Sequence, residues 1–169
     1  MNLSDLVLGA LDRARSAEKV SAHCDIPCGI YDPHAAQIGA LTIIRMNQLI
    51  EGLALPSSDK AAMDAYLNTM SRYIAVKEEH ARAVENELLI FWTDYFRPEH
   101  LEKFPDMHDT FWKTMKLCSA VKQQINMQAA QDLLAGVNKI AGAFWASKNI
   151  ATASKPSNQP AGGEIVVPA

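Results

Sequence analysis

Apolar residues recur at every third or fourth position along most of the chain, which is the spacing of amphipathic helices. The pattern predicts four helices, at about residues 33–51, 58–97, 106–124 and 126–149. The connections between them are short, and helices joined in this way favour an antiparallel bundle. The predicted fold is therefore all-α, an antiparallel four-helix bundle.

Capping and breaking residues set the expected helix boundaries. Asp32 and Pro33 supply an N-cap and a first-turn proline for the first helix, and Gly52 follows its last turn. Residues 57–59 (Ser-Ser-Asp) offer N-caps for the long second helix, which nothing breaks before Pro98. Two polar residues interrupt the apolar face of the first helix: Arg45 and Gln48.

The two ends of the chain are expected to lie outside this bundle. Residues 1–22 form an amphipathic leader that ends at Ala22. Its small final residues would suit a signal peptidase, but the apolar run is short and acidic Asp5 precedes it, so a removable pro-segment is favoured over secretion. Residues 151–169 lose all periodicity and are rich in Pro, Gly and Ser, which predicts a disordered tail.

Composition narrows the class of protein. The chain has 169 residues, of which 49% are hydrophobic and 21% charged, as expected for one globular domain. A formal net charge of −3 without a Lys/Arg stripe argues against nucleic-acid and membrane partners. Three cysteines are an odd number, which disfavours a secreted disulfide scaffold and favours a reducing, cytoplasmic compartment. Cys118 falls in a helical stretch and is expected to be a small buried apolar residue.

Two thiols and an imidazole lie close together at His23, Cys24 and Cys28. Pro27 fixes its own φ and Gly29 permits a left-handed turn, so both sulfurs can reach one side of a hook. Thiolates favour zinc, copper(I), iron–sulfur clusters and, in planar nitrogen and sulfur surroundings, nickel(II). The spacing is neither that of a zinc finger nor that of a C-x-x-C motif. The sequence therefore predicts a metal-binding hook at the N-terminal side of the bundle.

This hook resembles the amino terminus of the nickel-containing superoxide dismutase family. Residues 23–33 match the family pattern His-Cys-Asp-x-Pro-Cys-Gly-x-Tyr-Asp-Pro at every fixed position. A second block at residues 92–98 (Trp-Thr-Asp-Tyr-Phe-Arg-Pro), followed by His100, also resembles the family. The resemblance covers roughly residues 23–150 and implies an enzyme that converts superoxide to dioxygen and hydrogen peroxide at a redox-cycling nickel ion.

The resemblance implies a specific ligand set. The Cys24 and Cys28 sulfurs, the Cys24 amide nitrogen and the amino group of His23 would form the planar donors, and the His23 imidazole would join as an axial ligand when nickel is oxidised. Tyr31 would shape the approach of superoxide to the open face. Because the amino group must be free, a maturation peptidase would have to cleave between Ala22 and His23.

The same resemblance bears on residues around the site. Arg97 and Lys122 fall where the family tends to carry cations, which could attract superoxide or could be solvated helix-end charges. Tyr95 would lie behind the ligands or in the core. The resemblance also implies a homohexamer.

Two positions depart from the family pattern. Some members support the axial imidazole with a glutamate on the first helix and an arginine on the second, where this chain has Gly39 and His80. The support of His23 must therefore differ, since such outer partners tune ligand orientation. His80, Glu78 or Glu79 are the candidate substitutes.

Two other functions remain open from the residues alone. Cys24 and Cys28 could form a reversible disulfide or a structural zinc site in a helical protein without turnover, and the leader would then stay attached. Alternatively, the hook could sequester nickel without dismutase activity. The block at residues 92–98 favours the enzyme, because storage would not need a matching bundle.

Overall fold

The computed structural model describes residues 29–56 and 59–169. By itself, the segment Tyr31–Ala169 forms one compact unit. Within the described part the chain forms five helices, a π-helical segment and two strands. In chain order they are α1 (His34–Glu51), α2 (Lys60–Ile90), the π-helical segment (Phe91–Tyr95), α3 (Pro98–Lys103), α4 (Met107–Gln123), α5 (Met127–Ser147), β1 (Thr152–Pro156) and β2 (Glu164–Pro168).

Local capping explains where the long helices begin. The Asp59 carboxylate accepts a hydrogen bond from the Ala62 backbone N–H at 3.0 Å, and the Asn126 side chain accepts one from the Ala129 N–H at 3.0 Å. At the start of α1, Asp32 Oδ1 accepts from the His34 N–H at 2.8 Å. The predicted cap at Asp59 is therefore confirmed, whereas the residue at the N-cap of α1 is Pro33 and not the predicted Asp32.

The four long helices pack into a bundle around one core. α1 packs on α2 and α5, and α4 packs on the same two helices. Large apolar side chains from α2, α4, α5 and the π-helical segment fill the interior with almost no solvent exposure: Leu88, Phe91, Phe111, Leu133, Ile140 and Phe144. The predicted helical bundle is confirmed. The short helix α3, between α2 and α4, was not predicted.

The prediction of a disordered tail is wrong. β1 and β2 form an antiparallel hairpin in which Ala153 lies opposite Val167. Gly162 and Gly163 have φ values of +74° and +77°, which only glycine adopts readily and which the turn requires. Ile165 is buried against the bundle. The hairpin is therefore ordered by contacts with the helices, which a search for helical periodicity does not detect.

No helix in the described part of the chain is both long enough and apolar enough to cross a membrane.

Candidate functional site

The predicted metal ligands His23, Cys24 and Cys28 lie outside the described residues. Gly29, at the end of the hook, is described and has φ +72°, in agreement with the left-handed conformation expected there. Between residues 29 and 56 and from residue 59 onward, no group of three His, Cys, Asp or Glu side chains is arranged to hold a metal ion.

Tyr31 lies just after the hook and just before α1. Its ring packs edge-on against Tyr95, with 5.2 Å between centroids, and tilted against Phe91, with 6.1 Å between centroids. Both partners belong to the π-helical segment that follows α2. The block at residues 92–98 thus supplies part of the surface on which Tyr31 rests, and Tyr31 is half-buried there.

Tyr95 joins several parts of this aromatic cluster. Its hydroxyl lies 2.5 Å from Ser147 Oγ, and Ser147 Oγ donates to the Phe144 carbonyl at 2.7 Å, so Tyr95 is the donor to Ser147. Its ring stacks on His100 with an interplanar angle of 7°. Tyr95 is therefore a half-buried residue fixed at both its ring and its hydroxyl.

Lys148 is a cation at this cluster that sequence reasoning missed. Its Nζ lies 4.4 Å from the Phe144 ring centroid and 5.7 Å from that of Tyr95. Lys148 follows the last residue of α5. Helix periodicity does not predict which aromatic rings a residue beyond the helix end will contact. The only sequence signal was its position beside Trp145 at a helix C-terminus, where cations are favoured.

The two cations singled out from the sequence lie in different surroundings. Lys122 forms an ion pair with Glu85 at 2.7 Å, and both side chains are partly buried. Its charge is thereby largely compensated at the seam between α2 and α4. Arg97 is exposed at the start of α3. Of the two, Arg97 is the better placed to attract a small anion.

Gly39 is explained by helix packing. A Cβ placed on Gly39 would lie 2.6 Å from Val84 Cγ2, while the His80 carbonyl oxygen at 3.5 Å is in ordinary contact. A glutamate at this position would therefore have to displace the Val84 side chain.

The candidate substitutes on α2 have local partners. The His80 ring nitrogen Nδ1 lies 2.9 Å from the Val76 carbonyl, one helical turn earlier. Because a carbonyl oxygen only accepts, a hydrogen bond there makes Nδ1 the donor. Glu78 pairs with Arg82 at 3.0 Å.

Cys118 is a free thiol in the core of the bundle and is fully buried, as predicted. Burial raises the pKa of the Cys118 thiol to about 12, and the nearby charge of Glu85 adds to this shift. The thiol is therefore protonated at neutral pH and is not a metal ligand in this state.

Comparisons with known proteins agree with this fold and with the hook pattern. The sequence model of the nickel-containing superoxide dismutase family matches residues 18–148. The superoxide dismutase [Ni] of Streptomyces seoulensis is 35% identical over 133 residues, which cover 77% of this chain and 91% of that protein. The corresponding protein of Streptomyces coelicolor is 34% identical over 132 residues, covering 76% and 90%.

Solved structures extend the similarity to three dimensions. The native structure of a nickel superoxide dismutase superposes with a TM-score of 0.62 at 31% identity, covering 75% of this chain and 99% of that chain. A structure with nickel ligation corresponding to the oxidised state gives a TM-score of 0.65 at 30% identity with the same coverage. Fold and motif together define a helical-bundle metalloenzyme. The chain belongs to the nickel-containing superoxide dismutase family.

Proposed function

We propose that the hook of this superoxide dismutase binds one nickel ion through His23, Cys24 and Cys28. The activity is the disproportionation of superoxide to dioxygen and hydrogen peroxide, with nickel as the cofactor. The observation that supports the ligand assignment is the unbroken match of residues 23–33 to the family pattern.

The chemistry of the donor set fits nickel. The Cys24 and Cys28 thiolates would donate charge to the metal, and the Cys24 amide and His23 amine nitrogens would complete a set of nitrogen and sulfur donors. When bound, nickel supplies a one-electron couple that superoxide can reduce and oxidise in turn, because these donors lower the potential of an ion that is hard to oxidise in water. The thiols must lose their protons on binding, so nickel affinity falls as the pH is lowered.

The amino group of His23 becomes a donor only after the leader is removed. In the full chain this nitrogen is part of the Ala22–His23 peptide bond. A maturation peptidase that cleaves this bond therefore generates the active enzyme from its precursor.

Tyr31 limits and orients the approach of superoxide. Its contacts with Tyr95 and Phe91 fix the ring, while the polar hydroxyl can order water near a small anion. Arg97 contributes an exposed positive charge that raises the local concentration of superoxide on an otherwise acidic protein. Lys122 has no such role, since Glu85 compensates its charge.

The proposal includes a cytoplasmic location. It also includes assembly into a homohexamer. Three cysteines, two of them in the hook, disfavour a secreted disulfide scaffold and support a reducing compartment. Within the described chain, α2 has no buried residue before Lys77, and Met63 and Leu67 on its first half are exposed. Apolar side chains on such a face are suited to contacts between subunits. Size-exclusion chromatography with light scattering measures the assembly directly.

Metal analysis combined with intact mass tests the proposed site. The mature protein is expected to contain nickel at about one ion per chain and to begin at His23. Zinc at the same stoichiometry on a chain that retains the leader would favour the non-enzymatic zinc or thiol protein. Nickel on a mature chain without superoxide turnover would favour sequestration.

A further inference from the structure

The C-terminal hairpin is an addition to the part of the chain that the family model matches, which ends at residue 148. It lies on α1 and α5. Ile165 of β2 is buried, and a Cβ on Gly163 would lie 3.1 Å from Leu134 Cδ2 of α5 and 3.4 Å from Leu41 Cδ2 of α1. The hairpin is therefore in close packing contact with both helices.

Two side-chain amides of the bundle form hydrogen bonds with the backbone of β2. Gln37 Nε2 of α1 donates to the Val166 carbonyl at 2.9 Å. Asn138 of α5 accepts from the Val166 N–H at 3.2 Å and donates to the Glu164 carbonyl at 2.8 Å. These amides occupy the positions that a third strand would otherwise take, so β2 is paired on both edges.

Gln37 connects this edge to the first turn of α1. Its side chain is 1% exposed, and its Nε2 also donates to Asn138 Oδ1 at 2.9 Å. Its backbone N–H donates to the Pro33 carbonyl at 3.2 Å, which closes the first turn. Tyr31 precedes that turn by two residues. Hydrogen bonds thus run from the hairpin through Gln37 to Pro33, which is two residues after Tyr31 in the chain.

We propose that the hairpin, acting through Gln37, holds the first turn of α1 in place and thereby positions Tyr31. Gln37 is a positioning residue, and the inference rests on the proposed role of Tyr31 in the approach of superoxide. A buried amide that loses a partner is costly, so loss of the bond between Gln37 and Val166 is expected to loosen the first turn.

Gln48 provides a matched control on the same helix. Its Nε2 donates to the Ala161 carbonyl in the hairpin loop at 3.0 Å, near the opposite end of α1. Gln37→Met and Gln48→Met each remove one amide bond to the hairpin backbone and keep a side chain of similar length. Each variant also loses one side-chain bond within the bundle, from Gln37 to Asn138 or from Arg45 to Gln48. The two bonds to the hairpin lie at opposite ends of α1.

The experiment compares both variants in the mature, nickel-loaded protein. Amide hydrogen exchange is measured at residues 37–41 and 159–163, and superoxide decay is measured alongside. We expect Gln37→Met to raise exchange at residues 37–41 by about tenfold and to slow turnover. Gln48→Met is expected to raise exchange at residues 159–163 and to leave turnover within about twofold of the unmodified enzyme.

Two results would overturn the inference. Unchanged exchange at residues 37–41 in Gln37→Met would show that the hairpin does not hold the first turn. The same exchange pattern in both variants would show general stabilisation instead of positioning. Tyr31→Phe separates this inference from the proposed function: if it turns over normally, the role of Tyr31 fails, while the exchange data still decide whether the hairpin holds α1.

Discussion

The three thiols of this chain lie in two regions with opposite chemical requirements. Cys118 lies in the bundle core between α2 and α4, where burial raises its pKa to about 12. At neutral pH roughly one such thiol in 10⁵ is ionised. Cys24 and Cys28 lie in a short segment with a proline and a glycine, next to a histidine. A metal ligand must be a thiolate, so only the second region suits the chemistry.

The comparison separates the proposed metal ligands from a thiol that forms part of the fold. A thiol packed among apolar side chains behaves as a small hydrophobic group and contributes to stability. The proposed role of the hook thiols is to bind nickel. Substitutions in the two regions should therefore change different measurements.

The largest effect is expected in the hook. Cys24→Ser or Cys28→Ser should abolish nickel binding and superoxide turnover, because a serine hydroxyl is neither soft nor ionised at neutral pH. Circular dichroism should show the helices unchanged. Nickel content by elemental analysis is the direct measurement, and either variant retaining full nickel and activity would remove that residue from the site.

Tyr31→Phe tests the residue where the bundle domain begins. The ring contacts with Tyr95 and Phe91 remain, so the free energy of unfolding should change by no more than about 1 kcal/mol. Turnover should fall several-fold at unchanged nickel content, because the hydroxyl that orders the approach is lost. Rates of superoxide decay at matched nickel loading measure this, and unchanged rates would leave Tyr31 as a packing residue only.

Cys118→Ser should show the opposite pattern to the hook variants. Burying a hydroxyl in place of the thiol should lower the free energy of unfolding by about 1–2 kcal/mol and leave turnover intact. Urea denaturation measures the stability.

In the folded apoprotein, a thiol reagent should modify Cys24 and Cys28 and leave Cys118 unmodified until unfolding. A folded Cys118 variant without activity would contradict the core assignment.

The smallest effect is expected at Lys77, a second buried group whose pKa is shifted by loss of water. Lys77 is buried, and its Nζ donates to the Gln124 carbonyl at 2.8 Å. Burial lowers its pKa from an ordinary value of 10.5, although the charge of Glu78 opposes the shift. Between the lowered pKa and 10.5 the unfolded chain binds more protons than the folded chain, so stability should rise with pH through this window.

Lys77→Met should remove this contribution. Urea denaturation of both proteins across the alkaline range compares the slopes of unfolding free energy against pH. The slope of the unmodified protein should be the more positive one, and identical slopes would show that the Lys77 ammonium is not desolvated.

The sequence predicted features that depend on neighbours along the chain. Asp59 caps its own helix, and the long apolar pattern before Pro98 belongs to one continuous helical run. The hook pattern and the block at residues 92–98 are equally local, which is why they led to the family. The π-helical form of residues 91–95 carries no distinct sequence signal.

Features that depend on distant neighbours were missed or misread. The hairpin buries Ile165 and accepts hydrogen bonds from Gln37 and Asn138, which are far away in sequence. Lys122 was interpreted either as a cation that attracts superoxide or as a solvated helix-end charge, but it pairs with Glu85 on another helix. Gln48, which interrupts the apolar face of α1, is an attachment point for the hairpin loop, and that reason is visible only in the folded chain.

The central claim is that the amino group of His23 binds nickel after the leader is removed. The most direct test compares a chain that begins at His23 with one that begins at Ala22, each confirmed by mass and nickel content. Superoxide decay followed by pulse radiolysis should show turnover by the first chain and little or none by the second. Equal rates would contradict the amine-ligand mechanism.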